Sequence, residues 1–160
     1  MARASEADRR RSLTILAFAT VGFIALLIAG LGIVSLALDA AVIAERGMTQ
    51  LPGILGSLVA MLGFATVTYP ALLRRSSVGM ALLSGVAAAV GYAVGVAVGA
   101  LISRIDPLRA LGVAGSVAVS WPTLVIVLAG VVSSAIALTV VRAGPGGARW
   151  PWERDSRDDE

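Results

Sequence analysis

The chain has 160 residues, of which 58% are hydrophobic and 14% charged, with a formal net charge of +3 and a mean hydropathy of +0.89. A soluble domain is nearer a quarter charged, so this chain lacks the polar groups to cover a globule and its solvent is read as a bilayer. Cysteine and histidine are both absent, which excludes disulfides and thiolate metal centres and removes imidazole as a general base or metal ligand.

The first predicted element follows the basic cluster Arg9, Arg10 and Arg11 and runs over residues 13–38. A secretory signal has an apolar core of about 7–15 residues. This run is longer, so it is read as a retained span. The second span covers 51–73, with Pro52 in its first turn and Arg74 and Arg75 after its end. Tyr69-Pro70 suits its interfacial end. The third covers 78–102 and stops before Arg104. Residues 108–120 form a short apolar segment, and Trp121-Pro122 divides it from a fourth span over 121–141. Tryptophan favours the membrane interface, proline suits a helix's first turn, and Ser120 stands where a cap is expected. The alternative is one long helix kinked at Pro122. Every span reaches the ~20 residues needed to cross a bilayer and has no charge at its middle.

Three segments result: a basic N-terminus over 1–11, a four-helix transmembrane domain over 12–141, and a charged tail over 142–160. The tail opens with Gly-Pro-Gly-Gly and then becomes densely charged, a composition read as disordered.

All 13 basic residues are arginine, and their distribution orients the chain. Ten lie in the N-terminus, the second connection and the tail; Arg46, Arg104 and Arg109 lie in the other two connections. An even number of spans puts both termini on one side, and the positive-inside rule makes that side the cytoplasm. Arg9, Arg10, Arg11, Arg74, Arg75 and Arg142 are therefore read as topology and lipid anchors. The high isoelectric point follows from these flanking arginines, and nucleic-acid binding is not expected.

One stretch, VGYAVGVAVGA, places glycine at 91, 95 and 99. With Ala87 and Ser103 these form a small-residue stripe on one helix face, the pattern of a glycine zipper. Lipid is as apolar as leucine, so association of membrane helices rests on close packing, which small residues permit. The stripe is read as a packing face rather than a pore wall. Its partner is left open between another span, a second copy and another membrane protein.

No span carries a carboxylate or a charged side chain, and intramembrane charges are the usual mark of coupled ion or proton transport. Asp39 and Glu45 in the first connection read as a solvated helix end stopped at Gly47. Asp106-Pro107 reads as a helix start. Ser133 and Ser134 are expected to bond to their own helix or to cross to a neighbour. No nucleotide loop, nucleophile elbow or zinc motif is present, so no cofactor is expected.

The segments RRRSLTILAFATVGFIALLIAGLG, LPGILGSLVAMLGF and RWPWE resemble the small uncharacterised four-span membrane proteins of actinobacteria. That resemblance implies a location and a topology and no activity. A fainter likeness, through Trp121-Pro122 and Trp150-Pro151, is to tryptophan-biosynthesis-associated membrane proteins. Those carry a tryptophan in the first outer loop, where this chain has DAAVIAERGM.

The expectation is an all-α polytopic protein of the cytoplasmic membrane, with four transmembrane helices in an antiparallel bundle and both termini inside. It is read as a non-enzymatic accessory or scaffold protein acting through helix–helix contacts. A small passive channel or transporter is the alternative.

Overall fold

A computed structural model describes residues 2–39, 51–74, 79–103 and 106–143, apart from the side chains of residues 2–5, 7 and 8. The predicted features at Glu45, Arg46, Gly47, Arg75 and Arg104, and in the tail from residue 144 onward, lie outside these residues. Among the described residues five helices occur in order: α1 (Ala2–Leu38), α2 (Leu51–Leu73), α3 (Gly79–Ile102), α4 (Pro107–Ala118) and α5 (Trp121–Ala143). Four of them, α1, α2, α3 and α5, are long and apolar enough to cross a membrane.

At 1.5 Å per residue, α2, α3 and α5 are each about 35 Å long, close to the thickness of a bilayer's ~30 Å hydrocarbon core. Helix α1 has 37 residues and so overshoots that thickness. It starts at Ala2, eleven residues ahead of the predicted span. The reason is local: alanine and arginine are good helix formers, and Arg10 meets Glu6 at 3.0 Å one turn away. Its other end closes at Asp39, whose φ of 47° is left-handed, a backbone that aspartate tolerates better than most residues.

Both ends of α4 have a chemical cause. The Asp106 carboxylate accepts from the N–H groups of Leu108 and Arg109 at 2.9 and 3.4 Å, and Pro107 occupies the first helical position, where its missing N–H is harmless. A turn at Val119 and Ser120 separates α4 from α5, so the chain has two helices here and not one kinked rod. Ser120 does not act as the predicted side-chain cap. Its hydroxyl donates back to the Val117 carbonyl at 2.7 Å, as does that of Thr123 at 2.6 Å. The last carbonyls of a helix lack intrahelical partners, and that one competes for both hydroxyls. The first turn of α5 is held instead by Thr123 N–H donating to the Ser120 carbonyl at 3.1 Å.

Helix α3 sits between α2, α4 and α5, and among the described residues its backbone does not approach that of α1. Helix α1 leans on α5 and, less extensively, on α2. One apolar cluster gathers Phe23, Phe64, Tyr92, Val96 and Ile126 with Val113 and Val117 of α4. Phe23 and Phe64 stack with centroids 4.8 Å apart and planes 5° apart. A second cluster joins Ala71, Leu72 and Ala81 to Ala137, Leu138 and Val141. The bundle axis is thus filled with side chains.

Candidate functional site

The glycine stripe of α3 lies against the backbone of α2. A Cβ added at Gly91 would meet the Val59 carbonyl oxygen at 2.6 Å. At Gly95 it would run into the Leu55 carbonyl oxygen, and at Gly99 into the Pro52 Cα at 2.5 Å. Helix α2 reciprocates: a Cβ at Gly63 would meet the Ala87 carbonyl oxygen at 2.5 Å, and one at Gly56 the Tyr92 ring at 2.9 Å. Gly99 pairs low on α2 and Ala87 pairs high, so these two helices run in opposite directions. Of the five predicted stripe residues, Ala87, Gly91, Gly95 and Gly99 meet α2. Ser103 instead turns its hydroxyl back onto the Gly99 carbonyl at 2.8 Å.

The other side of α3 has a second close approach. A Cβ at Gly85 would meet the Val127 carbonyl oxygen at 2.6 Å, and one at Gly130 would meet the Gly85 Cα at 2.7 Å. Small residues on both helices let the α3 and α5 backbones nearly touch. Beside this crossing, three buried hydroxyls join three helices. The Ser84 Oγ accepts from Thr68 Oγ1 of α2 at 3.1 Å and from Ser134 Oγ of α5 at 3.2 Å. It donates to the Met80 carbonyl at 3.0 Å. Thr68, Ser84 and Ser134 are fully buried. Neighbouring Ser133 Oγ is also buried and finds no partner among the described residues.

Of the predicted anchors, Arg74 and Arg142 fall at helix ends, whereas Arg9, Arg10 and Arg11 lie within α1, which starts at Ala2. Arg9, Arg10, Arg74 and Arg142 are exposed. Arg11 is half-buried and reaches across to α5, where its Nη2 donates to the Val140 carbonyl at 3.4 Å.

Sequence reasoning missed Thr68 and Ser84. Hydroxyls that bond to their own helix are common in membrane spans, and nothing in spacing marks these two as facing each other. The buried polar set among the described residues is hydroxyl only: Ser12, Thr68, Ser84, Ser133 and Ser134. Such groups orient helices by hydrogen bonding. No described cluster of acidic residues could hold a metal ion.

Residues 5–160 match the model of DUF6121, a family of unknown function. The chain belongs to DUF6121. No curated protein and no solved structure matches it.

Two variants probe the seam and the hydroxyl cluster. Gly95→Ala is expected to lower the thermal unfolding midpoint in detergent, because the new methyl meets α2 backbone that cannot yield. Gly32→Ala, where nothing lies within 4 Å, is expected to leave it unchanged; equal midpoints for both variants would refute the seam as the constraint. Ser84→Ala strips two hydroxyls of their shared acceptor, whereas Thr68→Val leaves Ser84 bonded to Ser134 and Met80. Interhelical hydrogen bonds in membranes average about 0.6 kcal/mol, so Ser84→Ala should destabilise by about 1 kcal/mol and by more than Thr68→Val. Unfolding in graded detergent mixtures measures the order, and the reverse order would dissolve the cluster as an energetic unit.

Proposed function

We propose that this protein is a non-enzymatic accessory protein of the cytoplasmic membrane that works by helix–helix contact through its first span. The observation that carries this reading is the uneven burial of the spans. Of the most apolar stretch of α1, 11% is buried within the chain, against 44% in α3 and in α5. The stripe that the sequence offered as a partner face is occupied by α2, which shifts the contact role away from the third span. On α1, Ala17, Val21 and Ile28 are all exposed and fall on one side of the helix. An added Cβ at Gly32 on the same side meets nothing, so a partner backbone has room to approach there.

The passive-channel alternative has less support. Phe23, Phe64, Tyr92, Val96 and Ile126 fill the bundle axis, and the hollows described below lie between α1 and α5. A filled, apolar axis gives a polar solute nothing to replace its hydration. The absence of histidine and cysteine, together with the all-hydroxyl buried set, supports a non-catalytic role. The arginine distribution supports an antiparallel bundle with both termini cytoplasmic.

A photo-crosslinking residue at Val21 in native membranes should give a discrete protein adduct that the same residue at exposed Val94 of α3 does not. The same pattern from both positions would remove α1 as the contact helix. Solute-selective flux through liposomes carrying the purified protein would replace this reading with the channel. Orientation has its own check: a reporter active only outside the cytoplasm, fused after Glu160, should stay silent, and activity there would invert the topology.

A further inference from the structure

Two apolar hollows lie end to end along the crease between α1 and α5. The larger, about 470 Å³, is lined by Ile15, Ala19 and Gly22 of α1 and by Ile136, Ala137 and Val140 of α5. The smaller, about 270 Å³, runs on to Val34 and Val125, and Leu26 borders both. From Ile15 to Val34 a helix rises about 29 Å, the thickness of the hydrocarbon core. From Ile15 to Leu26 the rise is about 16 Å, or about one leaflet. The larger hollow is therefore a slot of one leaflet's depth, open sideways to lipid.

A cation stands at the mouth of this slot. Arg11 lies one turn before Ile15 on the same helix stripe, and its guanidinium reaches the carbonyl of Val140, a slot-lining residue, at 3.4 Å. That is a long bond, and it leaves most of the guanidinium's five donors for another acceptor. Arg9 and Arg10 adjoin it, and α5 ends in Arg142. The described carboxylate nearby on α1, Glu6, is taken by Arg10. We infer that the α1/α5 crease binds one anionic phospholipid, one of its two acyl chains in the larger hollow and its phosphate on Arg11. Guanidinium matches phosphate geometry with paired donors. Charge also decides against a second copy as the occupant. A symmetric pair that meets on this crease would bring two arginine clusters together, whereas a phosphate neutralises one. The inference rests on the membrane reading and is independent of the accessory role.

The full-length protein in detergent, mixed with phosphatidylglycerol or with phosphatidylcholine of identical chains, is examined by native mass spectrometry. Phosphatidylglycerol adducts should survive to higher collision energy and at several-fold higher occupancy. Arg11→Gln should reduce their occupancy about fivefold, the share of one interfacial arginine, while Arg74→Gln should leave it unchanged. Gly22→Leu should displace both lipids. An added Cβ there meets only Ser133 Oγ, at 4.0 Å, and Gly22 lines the slot, so a leucine there takes up slot volume. Millimolar inorganic phosphate should not displace phosphatidylglycerol. Equal retention of the two lipids, an Arg11→Gln variant that behaves as the wild type, or displacement by phosphate would each overturn the site. So would a lipid-free dimer that Gly22→Leu abolishes, since a second copy would then fill the crease. Recovery of the protein in the soluble fraction of lysed cells would instead remove the membrane reading itself.

Discussion

Hydrocarbon gives two helices no hydrophobic reason to meet, so association must be won from contact distance and from hydrogen bonds. Dispersion between single atom pairs is small and falls quickly with separation. Helices with leucine at the interface stay apart, and helices with glycine there can bring backbones together over several turns. The rest of the bundle depends on this distance. Gly91, Gly95 and Gly99 set α3 against the α2 backbone, and Gly85 with Gly130 sets it against α5. Glycine weakens a helix in water; here the lost side chain is what allows the neighbour to approach.

Once α3 is fixed on two sides, the hydroxyls find each other. Thr68, Ser84 and Ser134 come from three helices and meet because the backbones beside them already touch. A buried hydroxyl without a partner is unfavourable in an apolar surround, so the cluster also specifies the rotation of each helix about its own axis. The large side chains then occupy what remains. Phe23 and Phe64 bridge α1 to α2 by stacking their rings.

Membrane-crossing capacity was legible because it depends on length and composition. Boundaries followed from Pro52, Asp106 and Pro122, whose backbone chemistry is local. The small-residue stripe was legible as a face, since 91, 95 and 99 share one side of any helix. Which element would cover it was not, because a stripe of glycines is equally complementary to any backbone. The hydroxyl cluster was hidden for a related reason: its members lie 16 and 50 residues apart, and sequence periodicity reports faces within one helix only. Ser120 was misread because the competing acceptor, the Val117 carbonyl, belongs to the preceding helix end. The open crease beside α1 depends on how far two distant spans splay, which no local pattern records.

The pairing of α1 with α5 bears on how the chain is assembled. A polypeptide is synthesised from its N-terminus, and Arg11 and Val140 are 129 residues apart. Helix α1 is therefore made well before the helix it leans on most. The α2–α3 hairpin has its whole seam within reach as soon as Gly99 emerges, and local contacts of that kind form fast. The contact between α1 and α5 is thus the latest that the growing chain can make. Until then α1 has α2, through Phe23 and Phe64, as its packing partner.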